Sequence, residues 1–141
     1  NGAEKLKAIN RFLGMREGKS GIIYCLSRKT TEQLAEKLEA LGVSARPYHA
    51  GLSADKRRET QRAFIADQLR VVVATIAFGM GIDKSNVRWV IHYNLPKSIE
   101  SYYQEIGRAG RDGDPADTLL FYNYADIVQL EKFACDQFGA P

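Results

Sequence analysis

The stretch YYQEIGRAGRDG, residues 102–113, holds the side chains best suited to chemistry. Gln104, Arg108 and Arg111 stand at i, i+4 and i+7, which at 3.6 residues per turn puts all three on one helix face. Another stripe is apolar: Ile99, Tyr102, Tyr103 and Ile106 recur at three- and four-residue spacing and would seat that helix on a core. Gly107 and Gly110 interrupt the helix, each costing on the order of 1 kcal/mol against alanine. Arginines on a face lightened by glycine suit a ligand that is planar, anionic or both, because the guanidinium fork matches phosphate oxygens. Arginines at this spacing alone describe a solvated basic face. The glycines, and the loops elsewhere in the chain, favour the anion.

These side chains need a scaffold, and the hydrophobic pattern supplies one. A short amphipathic helix over residues 5–13 leads through a polar loop, 14–20, into a strand over 21–27. Thr30 or Thr31 is placed to cap a helix with the apolar face Leu34, Leu38 and Leu41 and with Gly42 as its stop. Residues 43–48 read as a weaker strand, in which Pro47 predicts an edge position or a strand end. Ser53 caps a helix reaching about Ala66, and its Lys56, Arg57, Arg58 and Arg62 read as a solvated surface. Strands follow over 69–75, 87–93 and 118–122, with a last helix over about 125–138.

Strands alternating with helices at these lengths predict right-handed βαβ crossovers and a parallel sheet with helices on both faces. Ligands of such sheets sit beyond the carboxyl ends of the strands. Those ends carry Ser27-Arg28, His49-Ala50-Gly51, residues 75–83 and Asn94-Leu95-Pro96. Thr75 offers a hydroxyl and a backbone N–H to a phosphate, while Gly79 and Gly81 let the chain curl close to a ligand. Asp83 has three open roles: accepting from a ribose hydroxyl, pairing with Arg108 or Arg111, or capping its own loop.

The totals bound these readings. A length of 141 residues fits one domain with a real core, and 45% hydrophobic with 26% charged residues is ordinary for a globular chain. A net charge of +3 is too small to signal nucleic-acid binding, so a basic patch must be local. No apolar run approaches about 18 residues and no signal peptide precedes the fold, so no membrane partner is expected. Cys25 and Cys135 lack a CxxC partner, which points to a reducing compartment and to no metal site in this chain. The chain opens on Asn1 and stops soon after a helical pattern, so a segment of a longer polypeptide is expected.

Several familiar motifs fail on context. Gly18-Lys19-Ser20 ends like a phosphate-binding P-loop, but its spacing from Gly14 is one residue short and a strand follows where a helix is needed. Gly79-Met80-Gly81 lacks the third glycine of a dinucleotide fingerprint, Lys84 standing there. Cys25 has no arginine six residues on to close a phosphate loop, so it reads as a buried structural thiol. His49 and His92 have no partner at ligand spacing and read as a turn histidine and a sheet histidine.

Three of these stretches together resemble the second RecA-like domain of superfamily 2 helicases, and the RecQ family of DNA helicases in particular. IIYCLSR (22–28) is similar to motif IV, VVVATIAFGMGIDKSNVRWVIHYNLPKS (71–98) to motif V and its flank, and YYQEIGRAGRDG to motif VI. YHAGL (48–52) also fits the RecQ pattern, and the likeness covers about residues 20–124. The resemblance implies a RecA-like, P-loop-NTPase-type α/β domain with its core at about 20–124 and residues 125–141 starting a linker helix.

The resemblance also implies roles. Arg111 is expected as the arginine finger on the γ-phosphate of ATP, assisted by Arg108, with Gln104 coupling the ATP site to the DNA side and Asp83 meeting the ribose. Ser27, Arg28, His49, Gly51 and Thr75 are expected to grip the backbone of one DNA strand. ATP with Mg²⁺ would be bound mainly by a first RecA-like domain of the same polypeptide, whose P-loop lysine and acidic metal-binding motif are missing here. The implied activity is 3′-to-5′ unwinding of duplex DNA, in the nucleoid or the nucleus, by an enzyme of which this chain alone is inactive. The alternatives are a non-enzymatic RecA-like module and an RNA helicase. The intact Gln104, Arg108 and Arg111 disfavour the first, and the AFGMGI and GRAGRDG strings disfavour the second.

Overall fold

The structure, a computed structural model, describes residues 2–75, 84, 86–94 and 117–121. In chain order the elements are α1 (Gly2–Gly14), β1 (Gly21–Cys25), α2 (Arg28–Ala40), β2 (Ala45–Tyr48), α3 (Ala54–Ile65), β3 (Val71–Thr75), β4 (Trp89–His92) and β5 (Asp117–Leu120). The expected helix around motif VI and the expected last helix lie outside the described residues.

All five strands are parallel, in the order β2-β3-β1-β4-β5. Their side chains alternate between two cores, as a period of two requires. On one face Ile23, Cys25, Val71, Val73, Trp89 and Ile91 pack against Ile9 and Leu13 of α1 and Leu34, Ala35 and Leu38 of α2. On the other, Ile22, Tyr24, Tyr48, Val72, Ala74 and Val90 meet Ala63 and Phe64 of α3. Helices on both faces and parallel crossovers are thus both present, and the central strands β1, β3 and β4 are almost wholly buried because helices cover both faces there.

The amino end of the sheet is densely tied. Arg70 donates from Nε to Lys19 O at 3.0 Å and from Nη2 to Leu13 O and Arg16 O at 2.8 Å each. Burial pulls the pKa of this guanidinium down, since its partners are carbonyls rather than a carboxylate. Trp89 Nε1 also donates to Lys19 O at 3.0 Å, and Arg16 bridges to Asp117 at 2.8 Å. The loop bearing the P-loop-like GKS is therefore a structural seam at the end of the sheet opposite the ligand edge. Gly21 is obligatory there, because a Cβ would overlap the Trp89 ring.

Strand β2 forms an edge of the sheet among the described residues, as Pro47 indicated. Val71 N–H donates to Ser44 O, so alternation turns the N–H of Ala45 outward, where Glu39 Oε1 accepts it at 3.1 Å. The next outward position is Pro47, which has no N–H to offer. At the carboxyl terminus of α3, Asp67 sits at φ 60° and pairs with the buried ammonium of Lys84 at 2.6 Å. This pair fastens the residue after Asp83 to the α3–β3 turn.

Candidate functional site

Parallel register brings the carboxyl ends of the strands to a single edge: Cys25 stands beside Thr75, Tyr48 beside Ala74, and Tyr24 beside His92. Since β2, β3 and β1 are consecutive, the loops after them lie side by side across about 10 Å, two strand spacings. Their order in space is 49–52, then Thr75, then 26–28, which differs from their order in the chain. Asn94 Oδ1 accepts from Leu26 N–H at 3.0 Å and ties the end of β4 to the end of β1.

Ser27 is the N-cap of α2, at φ −120° and ψ 151°, its hydroxyl accepting from Thr30 N–H at 3.1 Å. The cap expected at Thr30 or Thr31 is corrected by this geometry. Strand β1 ends at Cys25, only two residues before the helix, and the first hydroxyl to arrive takes the orphan N–H. Thr31, inside the helix, donates instead to Arg28 O at 2.6 Å. Ser53 caps α3 as expected, accepting from Lys56 N–H at 3.2 Å. Two helix amino termini, each carrying the positive end of a helix dipole, thus share this edge.

Arg28 opens α2 with an exposed side chain, and its Nη1 lies 3.3 Å from the point where a Cβ on Gly51 would stand. The loops after β1 and β2 therefore meet, although β3 lies between their strands. The same imagined Cβ would be 3.0 Å from His49 Cε1 and 3.1 Å from Nδ1, so a larger residue at 51 would press on the imidazole. Thr75, half-buried, closes β3 beside them.

His49 is placed differently from these neighbours. It is 3% exposed, and both ring nitrogens are engaged. Gly51 N–H donates to Nδ1 at 3.0 Å, while Nε2 stands 3.1 Å from Glu32 Oε1. An amide only donates and a carboxylate only accepts, so the pattern assigns a neutral ring with its proton on Nε2. His92 is fully buried in β4 and stacks on Tyr24 at 5.1 Å, in keeping with a sheet histidine. Burial pushes the pKa of the Cys25 thiol up to about 12, against a small opposing pull from Lys5, so it carries no thiolate character.

Helix α3 divides its cations. Arg58 pairs with Asp55 and Arg62 with Glu59 on the exposed flank, and the Arg62 bond holds the Glu59 carboxyl below its usual pKa. Exposed pairs of this kind add little stability. Arg57 instead turns toward the loop, donating from Nη1 to Leu52 O at 2.8 Å and to Ala50 O at 3.3 Å. Sequence reasoning passed over Arg57 and Glu32. A signal was present for the first, since a cation just inside a helix amino terminus opposes the helix dipole and needs a local reason to be there.

Of the residues singled out in the sequence, Ser27, Arg28, Gly51 and Thr75 are brought together, and His49 lies beneath them. Asp83, Gln104, Arg108 and Arg111 lie outside the described residues. No helix among the described residues is long and apolar enough to cross a membrane.

A profile described as the helicase conserved C-terminal domain matches residues 4–113. The chain is 56% identical over 141 residues to the ATP-dependent DNA helicase RecQ of Pasteurella multocida (strain Pm70), covering 98% of this chain and 22% of that protein. It is 53% identical over 127 residues to the RecQ-like DNA helicase blm-1 of Caenorhabditis elegans, covering 90% of this chain and 13% of that protein. The chain thus spans less than a quarter of the length of either relative. Among solved structures, a DEAD box protein from the hyperthermophile Methanococcus jannaschii matches with a TM-score of 0.82 and 30% identity, over 96% of this chain and 37% of that one. Its parallel sheet flanked by helices is the RecA-like architecture of the DEAD-box C-terminal domains. The chain belongs to the helicase conserved C-terminal domain family, and within it to the RecQ type.

Proposed function

We propose that this domain is the second motor domain of an ATP-dependent 3′-to-5′ DNA helicase, inactive alone and completed by a first RecA-like domain of the same polypeptide. The observation that carries the reading is the carboxyl edge of the sheet. There Ser27, Arg28, Gly51 and Thr75 converge under two helix amino termini. Hydroxyls, a guanidinium and a glycine that admits close approach form a surface for a phosphate backbone, with no group among the described residues arranged to read bases. That suits unwinding, which must proceed whatever the sequence.

In this reading Arg28 supplies the charge on the strand, and Ser27, Gly51 and Thr75 fix its path. Arg111 reaches the γ-phosphate of ATP held on the first domain, Arg108 assists, Gln104 links the ATP cleft to the DNA edge, and Asp83 meets the ribose. ATP supplies the free energy and Mg²⁺ the charge neutralisation, both held mainly by the first domain. Closing and opening of the cleft shifts the grip along one strand. Residues 125–141 then start the connection to whatever follows.

The decisive experiment is Arg111→Ala in the complete polypeptide. Loss of an arginine finger lowers the ATP turnover rate by roughly 10³-fold or more. Full ATPase activity in that variant would sink the motor reading, as would normal ATP hydrolysis by residues 1–141 alone. Duplexes with a 3′ or a 5′ single-stranded tail fix the polarity, and parallel DNA and RNA duplexes fix the substrate.

A further inference from the structure

We propose that Arg57 and the Glu32–His49 pair are positioning residues that preset the loop over residues 49–52 for the DNA backbone without touching it. The inference rests on the reading that this edge grips DNA. An anion approaching a loop is repelled by outward carbonyl oxygens, so the loop must turn them in. Arg57 Nη1 takes Leu52 O at 2.8 Å and Ala50 O at 3.3 Å, and Leu52 N–H takes His49 O at 3.2 Å. Three carbonyls of the loop, those of His49, Ala50 and Leu52, are thereby engaged by donors of the protein itself, leaving the exposed Gly51 and the adjacent Arg28 at its outer surface. His49 supplies the second restraint: Nδ1 accepts Gly51 N–H at 3.0 Å and fixes the peptide plane at the residue meant to meet the strand. Glu32, 3.1 Å from Nε2, selects the tautomer that leaves Nδ1 bare. Glu32 belongs to α2 and Arg57 to α3, so the loop is held from helices on opposite faces of the sheet.

The test measures the Kd of the complete polypeptide for a fluorescent oligo-dT strand across a KCl series. His49→Asn retains an acceptor near the place of Nδ1, and His49→Gln mimics Nε2 and removes it. His49→Asn should bind within about threefold of wild type and His49→Gln about tenfold weaker, the scale of one lost buried hydrogen bond. Arg57→Gln should also bind about tenfold weaker, with the slope of log K against log salt unchanged. Arg28→Gln, which removes a phosphate contact, should flatten that slope by about 0.7. Equal binding by the two His49 variants, both weak or both normal, overturns the role of Nδ1. A slope flattened by about 0.7 in Arg57→Gln shows that Arg57 itself touches phosphate and overturns its positioning role. Should Arg57→Gln fail to fold, the His49 pair decides alone. An Arg28→Gln variant with wild-type affinity and slope defeats the underlying reading of this edge. Loss in Arg28→Gln with no change in Arg57→Gln or His49→Gln defeats the positioning inference alone.

Discussion

The two ends of the sheet solve opposite problems with the same residue type. At the amino end Arg70 is half-buried and holds the last turn of α1 and the loop after it by three carbonyls, with Trp89 adding a fourth bond to that seam. At the carboxyl end Arg57 holds two carbonyls from inside its loop, while Arg28 lies exposed on the outer side. The first arrangement faces wholly inward and serves the fold. The second pairs an inward guanidinium with an outward one, which prepares a surface for an anion. An arginine's meaning is therefore set by whether its fork closes on carbonyls or stays open to solvent.

That contrast can be broken most forcefully at Trp89, fully buried across from Gly21. Trp89→Ala should cost about 3–5 kcal/mol in the denaturant unfolding of this chain, enough to undo a marginal domain. Weak destabilisation there would mean that the amino end is not the structural anchor it resembles.

Cys25 sharpens the comparison, because it is the last inert layer beneath the ligand edge. Its folded pKa of about 12 lies above the ordinary 9.0, so the folded chain keeps the thiol neutral where the unfolded chain ionises it. The resulting stabilisation is complete below about pH 9 and is lost as pH rises from there toward 12. The stability curve should fall in that window by up to about 1.4 kcal/mol per pH unit, and Cys25→Ala should flatten that fall. The native thiol should also resist alkylation at pH 8 until denaturant exposes it.

Arg70→Leu comes next, at about 2 kcal/mol, because carbonyls lose a charged donor inside the seam. Its effect on DNA binding by the complete polypeptide should be slight. Arg28→Gln is the mirror image: stability within about 0.5 kcal/mol of wild type, with the loss appearing only in DNA affinity and its salt dependence. Finding both losses in either variant would erase the division between the two ends.

Local patterning disclosed the elements but not their arrangement. Alternating strands and helices, the Ser53 cap and the edge character announced by Pro47 are consequences of nearby residues, and the structure has them. The order β2-β3-β1-β4-β5 depends on contacts between distant segments, so the meeting of Arg28 with Gly51 could not be read from their separation in the chain. Ser27 stands out in the sequence for its place at a strand end, while the threonines further on look equally fit to cap the helix. How few residues separate β1 from α2 emerges only when both are in place. Arg57 was hidden among Lys56, Arg58 and Arg62, since composition treats four cations on one helix alike. Two of them meet carboxylates in solvent and one meets the loop, a distinction made by the turn at 49–52.

One feature of the far edge reaches beyond a single molecule. With the amide of Ala45 occupied by Glu39 and Pro47 carrying none, the outer side of β2 extends no donor across these positions to a passing extended chain. A neighbouring copy crowded against this side would find no backbone donor at these positions to begin a ladder.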